Sequence, residues 1–177
     1  IMKKFYLSFS VLLVSVLIWG CSNSDPVTPV EPSAYDLASF SKGGIMFDKF
    51  WSTEAGFNQS DTNITLLNSK SDFFRCKQCH GWDNLGRNGS YIGRGPSATR
   101  PNVANLNLYT IIQNKTPQEL FDAMKSTANR RDITFDFTTY VSSDPSNAGH
   151  QMPNYGQLLT DAQIWDIVKF LKSAAFD

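Results

Sequence analysis

Histidine and cysteine are nearly missing from this sequence, and a surplus of charge of either sign is missing entirely. The 177 residues hold two histidines and three cysteines, and 16 basic side chains balance 16 acidic ones. Without a basic surplus the chain lacks the electrostatic term that drives general nucleic-acid binding, so no nucleic-acid partner is expected. Charged residues make up only 18%, against 41% apolar and 13% aromatic, which excludes a disordered charged tail and a low-complexity fibre. There is no internal repeat, and the length fits one domain, or two small ones.

A comfortable membrane span is also lacking. The uncharged run from Phe5 to Trp19 has fifteen residues, with serines as its only polar members, and a spanning helix needs roughly 20. Lys3 and Lys4 precede the run and Gly20-Cys21 closes it, the layout of a secretory leader over residues 1–20. Ile18-Trp19-Gly20-Cys21 resembles a bacterial lipobox, which implies lipidation of Cys21, although bulky Trp19 departs from that pattern. An uncleaved N-terminal anchor, or an ordinary signal peptide with Cys21 a spare thiol, are the alternatives; all three export the chain. Residues 21–33 hold three prolines and no hydrophobic period, so they read as a flexible tether. Residues 34–177 remain for the compact domain. A domain of about 150 residues buries roughly two thirds of its unfolded-chain surface, enough for a core without disulfides.

Three segments read as helices. From Ser33 or Tyr35 to Trp51, Leu37, Phe40, Gly44, Phe47 and Trp51 recur at helical spacing. Thr116-Pro117-Gln118-Glu119 is a capping box with proline at the first helical position, and Leu120, Phe121 and Met124 follow as its core face. Thr160-Asp161-Ala162-Gln163 repeats the start signal ahead of Ile164, Ile167, Val168 and Leu171. Ile133 to Tyr140 alternates weakly, as a short strand or extended loop does. Gly81 to Pro101 holds five glycines and two prolines and reads as a loop. The domain is therefore expected to be mostly α-helical, with long connections that carry function or wrap something.

Against this scarcity, Cys76-Lys77-Gln78-Cys79-His80 stands out. In an exported protein C-x-x-C-H reads as a c-type haem attachment site. Two thiols three positions apart reach the two vinyl groups on one porphyrin edge, and the adjacent histidine arrives beneath the iron as proximal ligand. A structural zinc site wants four Cys or His ligands, usually as two such pairs, and no second pair exists; only His150 and the remote Cys21 remain. A thioredoxin-like redox pair wants a strand–helix setting, which Gly81-Trp82-Asp83 does not announce. A Cys76–Cys79 disulfide would close a tiny loop and staple almost nothing. Haem uses all three residues together.

Met152, in Met152-Pro153-Asn154-Tyr155 just before the last helix, is the source expected for a sixth ligand. A thioether is soft and favours Fe(II), and the proline stiffens its loop. Met46 and Met124, at helical spacing among apolar neighbours, read as core filler instead. His150 is the rival ligand, since beyond His80 it is the only other histidine.

Cys76-x-x-Cys79-His80-Gly81, the later Pro101-Asn102-Val103, Met152-Pro153-x-Tyr155 and Leu159-Thr160-Asp161-Ala162-Gln163-Ile164-Trp165 together resemble the monohaem class I c-type cytochromes, over about residues 43–171. The resemblance implies a cytochrome c-like helical fold around one covalent haem c, with the first helix crossing the last. Gly44 and Phe47 on the first, with Trp165 and Phe170 on the last, match that contact. It also implies a proline whose carbonyl meets the other ring nitrogen of His80, a role that falls on Pro101 with Pro96 as runner-up, and it brings Tyr155 into the haem pocket. Two insertions depart from compact members, Ser52 to Asp72 and Ser126 to Gln151, and they leave open which haem edge is exposed.

Charge is uneven along the chain. Residues 71–101 carry Arg75, Lys77, Arg87, Arg94 and Arg100 against Asp72 and Asp83, while the segments on either side are net acidic. Arg94 and Arg100 are the candidates to neutralise haem propionates, and the basic rim would also steer an acidic redox partner. The expected protein is a membrane-tethered lipoprotein of the periplasm or cell surface that passes single electrons to redox partners through His/Met-ligated haem iron, and is not itself an enzyme. A haem-based ligand binder, a cytochrome subunit of an oxidoreductase complex, or a structural lipoprotein with a coincidental motif are the alternatives.

Overall fold

The computed structural model describes residues 33–52, 70–98, 100–103 and 106–173, all within one compact unit, Pro32–Asp177. The expected leader, Cys21, the tether up to residue 32 and residues 53–69 of the first insertion lie outside the described residues.

Serine caps shape the first helical stretch. The Asp36 amide donates to Ser33 Oγ at 3.2 Å and the Ser33 amide to Asp36 Oδ2 at 3.1 Å, a closed box that starts α1, Ala34–Leu37. Ala38 is extended, and Ser39 starts a second helix, α2, Phe40–Lys49, by accepting the Lys42 amide at 3.3 Å. The single helix expected up to Trp51 is therefore two, because each serine caps its own. The break turns Leu37 out to 73% exposure, so it is not part of the core stripe. Met46 and Phe47 do face the core, and a 3₁₀ turn, Phe50–Ser52, carries Phe50 and Trp51 into it.

Next come the short helices α3, Ser71–Phe74, and α4, Cys76–His80, then a loop with one 3₁₀ turn at Gly86–Asn88. Helix α5, Tyr109–Asn114, starts at Leu108, which makes no side-chain cap bond; the Tyr109 amide donates instead to Asn107 Oδ1 at 2.9 Å, and the helix was not legible from the sequence. Both capped helices form as expected. In α6, Pro117–Lys125, Thr116 and Glu119 exchange bonds, and Leu120, Phe121 and Met124 are buried. Ahead of α7, Asp161–Ser173, Thr160 and Gln163 do the same. Residues 133–140 form turns instead of a strand. Asp132 accepts the Thr134 amide at 2.8 Å and Asp136 the Thr138 amide at 2.9 Å, and these local bonds curl the chain before it can pair. Among the described residues no strand forms, only two isolated bridges, so the mostly α fold class holds.

The central packing event is the crossing of α2 and α7. A Cβ at Gly43 would collide with the Asp166 backbone carbonyl and stand 2.8 Å from Phe170 Cβ, so the two backbones can meet only at a glycine. Gly44 lies against the Phe170 ring, and Phe170 packs with Phe40 and Phe47, each at 5.4 Å between centroids. Asp166 Oδ1 also accepts the Ser39 amide at 2.6 Å, which pins the start of α2 to α7. Trp165 meets Tyr35 of α1, the front of the expected first helix, edge-on, and also stacks on Phe121 of α6 at 4.3 Å.

Gly43→Ala should test the crossing. Alanine is the better helix former by about 1 kcal/mol, but an unyielding carbonyl stands where its methyl must go, and overpacking costs roughly 1–3 kcal/mol. A net loss of about 1–2 kcal/mol in urea denaturation is expected; an unchanged or raised midpoint would count against the close approach.

Candidate cofactor site

Helix α4 is five residues long, so Cys76, Cys79 and His80, three and four positions apart, share one face. Flanking cations hold it in place. Arg75 Nε donates to the Asp48 carbonyl at 2.8 Å, its Nη2 pairs with the Asp48 carboxylate, and Lys77 Nζ meets the same carboxylate at 2.9 Å. Partial burial works against the Asp48 charge, but the hydrogen bonds from Arg75 and Lys77 outweigh it and keep the carboxyl below its ordinary range. The attachment helix is thereby fastened to α2.

Cys76, His80 and Met152 all line two neighbouring hollows. The first, about 430 Å³ including its mouth, adds Phe73, Cys79 and Tyr155. The second, about 610 Å³, is more apolar, with Phe47, Ile112, Leu120, Met124, Ile167 and Leu171 on its walls. His80 is 9% exposed, and burial pushes its pKa down to about 4, so the imidazole is neutral at pH 7. Its Nδ1 lies 3.5 Å from the Leu106 carbonyl. A carbonyl only accepts, so the tautomer making this contact carries its proton on Nδ1 and leaves Nε2 a free lone pair. Burial raises the Cys76 thiol to about 11. Tyr155, fully buried, donates to the Phe74 carbonyl at 2.7 Å and lies 3.7 Å from Cys76 Sγ, joining the methionine loop to the attachment segment.

Three expectations are corrected. Pro101 is buried but lines neither hollow, and the carbonyl beside His80 is that of Leu106. The Pro101 segment is tied to the second insertion instead: Tyr140 donates to the Arg100 carbonyl at 2.9 Å and the Asn102 amide to His150 Nδ1 at 2.9 Å. The Arg94 and Arg100 side chains also line neither hollow. Arg94 lies over Tyr91 and donates to Gln78 of the attachment helix at 3.0 Å, while Arg100 donates to the Gly95 carbonyl of its own loop. The arginines on the walls are Arg75, in the first hollow, and Arg130, in the second. Arg75 directly precedes Cys76 and belongs to the basic stretch, but it was not singled out there, and Arg130 stands near no motif that marks it.

His150 lines the first hollow, but both its ring nitrogens are engaged. Nδ1 accepts from Asn102, and Nε2 faces the Asp144 carbonyl at 2.7 Å. Among the described residues no group of three or more His, Cys, Asp or Glu side chains could hold a metal ion, so the donors of a zinc site are not assembled. The donor set that is assembled comprises two thiols, a neutral buried imidazole and a thioether around apolar hollows. It fits a covalently attached, iron-bearing porphyrin.

A family model described as cytochrome c matches residues 69–175, more than half of the chain, and the chain belongs to the cytochrome c family. Comparison with curated proteins and with solved structures returned no significant match. Haem c, held covalently, is the cofactor, and haem-based electron transfer is the family's chemistry.

Tyr155→Phe should cost about 1–2 kcal/mol, the usual penalty for stripping a buried carbonyl of its donor, read as a lower denaturation midpoint of the haem-loaded protein. No change would mean that the Phe74 carbonyl is satisfied without Tyr155.

Proposed function

We propose that this protein is a single-electron carrier whose iron is held between His80 and Met152, exported and tethered to a membrane through a lipid on Cys21. The observation that carries the reading is that His80 and Met152 line the same two hollows, while the rival His150 has both nitrogens committed to backbone groups. Bound haem supplies an iron that cycles between Fe(III) and Fe(II).

The chain's own residues tune and protect that change. The Nδ1 contact with Leu106 orients the imidazole and presents Nε2, and the thioether of Met152 favours the reduced metal. The apolar walls around Ile112, Leu120 and Ile167 exclude water, and Arg130 on the wall of the second hollow would be a cation available to a propionate. Were His80 and Met152 both to hold the iron, little would rearrange on electron transfer and no open site would remain for catalysis. Export to the periplasm or cell surface follows from the leader, and is where cytochrome c domains typically work. Redox proteins are the expected partners.

The test is an optical spectrum of the mature protein, oxidised and then reduced. A haem c spectrum with the weak far-red band of methionine-to-Fe(III) charge transfer is expected. Met152→Ala should abolish that band and lower the potential by on the order of 0.1 V, within the roughly 0.8 V that axial ligands span; His150→Ala should retain it. A band that survives Met152→Ala, or immediate cyanide binding by the unaltered protein, would replace this reading with a ligand-binding one. Cys21→Ser should move the protein from the membrane fraction to the soluble one.

A further inference from the structure

Arg131 is 1% exposed, and among the described residues it has no carboxylate partner. Its Nη1 donates to the Gly149 carbonyl at 2.5 Å and its Nη2 to the Phe73 carbonyl at 2.6 Å, while Nε is buried with no hydrogen bond. The rings of Phe73, Phe74 and Phe135 stand 4.9, 5.5 and 5.7 Å from the guanidinium carbon. Burial lowers its pKa only to about 10, so the group stays cationic at neutral pH. A buried charge answered by carbonyl dipoles and ring faces, with no counter-ion, is costly to keep unless it serves the site beside it.

Its connections show which site that is. The Arg131 amide donates to the Met152 carbonyl at 2.9 Å, and the Asn154 amide donates to the Arg131 carbonyl at 2.9 Å. The backbone of this one residue thus grips the chain on either side of Pro153. Its guanidinium grips Gly149 at the near end of the same loop, and Phe73 three residues before the first haem cysteine. Phe73 itself lines the first hollow, as do His150 and Met152.

We infer that Arg131 is a positioning residue of the haem site, clamping the methionine loop to the attachment segment while its buried cationic charge raises the reduction potential. The inference rests on the electron-carrier reading above. A fixed positive charge close to the hollow opposes the extra positive charge of Fe(III) more than it opposes Fe(II), and the apolar surroundings leave it weakly screened. The forked guanidinium reaches two carbonyls on different segments at once, which an ammonium group cannot do with the same geometry.

The experiment uses the full chain loaded with haem and reads covalent haem content, the far-red band, the reduction potential and loss of the band in denaturant. Arg131→Met should keep covalent haem but move the Fe(III)/Fe(II) equilibrium towards the oxidised form about tenfold, a drop of about 59 mV for one electron. Arg131→Lys keeps the charge without the fork, so it should hold the potential yet lose the band at lower denaturant than the unaltered protein. If Arg131→Met does not fold, Arg131→Gln carries the same comparison, neutral but able to keep one carbonyl bond. A neutral variant that keeps both band and potential overturns the electrostatic role. A lysine variant that falls as far in potential as the neutral one makes shape, not charge, responsible and overturns it equally. Unaltered protein without covalent haem would overturn the electron-carrier reading itself, and this inference with it.

Discussion

The contact on which the rest of this structure depends is the meeting of two backbones at Gly43. Helices α2 and α7 touch where a Cβ would strike the Asp166 carbonyl, and everything that defines the site hangs from that pair. Asp48, near the end of α2, holds Arg75 and Lys77, which bracket Cys76. Ile167 and Leu171, on α7, line the more apolar hollow, and Lys172 Nζ donates to the Ile112 and Lys115 carbonyls, bringing α5 up beside them. Moving α2 away from α7 would displace the attachment helix from one side of the hollow and the apolar wall from the other. A close helix crossing is thus a condition of the chemistry as well as of stability, because a covalent cofactor needs its tethers and its apolar surroundings in fixed register.

How legible a feature was in the sequence depended on whether its cause lay in side-chain identity. Caps were legible: Thr116 with Glu119, and Thr160 with Gln163, need only the right residue types three apart. So was the attachment motif, whose spacing is set by the porphyrin. The break at Ala38 was harder, since the apolar period runs on through it and only Ser39 marks the new start. Helix α5 has apolar Leu108 at its cap position, and the Asn107 side chain that meets its first amide stands one residue earlier.

The misses within the site share one physical origin. Several polar groups of the site meet a backbone carbonyl: His80 that of Leu106, Tyr155 that of Phe74, and Arg131 those of Phe73 and Gly149. A carbonyl belongs to every residue, so no residue type announces it, and which one arrives is decided by tertiary path alone. Pro101 was a reasonable expectation because proline rings constrain the chain, yet its segment is drawn off towards Tyr140 and His150. Arg94 and Arg100 stood in the basic stretch and were credible for that reason. In the fold, each finds a partner nearby and never reaches the hollow.

The second insertion shows why such a detour is kept in a small protein. Residues 126–151 are mostly turns, with few buried apolar side chains of their own, and so contribute little hydrophobic stability. What they contribute is attachment. Asp132 receives Gln157 at 3.1 Å, Arg131 bonds on both sides of Pro153, His150 receives Asn102, and Tyr140 reaches the Arg100 carbonyl. All of these converge on the methionine loop or on the segment facing it. In the proposed arrangement Met152 is a weak, soft ligand, and a weak ligand holds its metal only if the loop bearing it loses little freedom on binding. Ordering that loop in advance moves its entropy cost from ligation to folding, where the α2–α7 core can absorb it. In that arrangement the insertion is the scaffold of the loop that bears Met152. Its most buried polar side chain, Arg131, ties that loop to Phe73 on the attachment side.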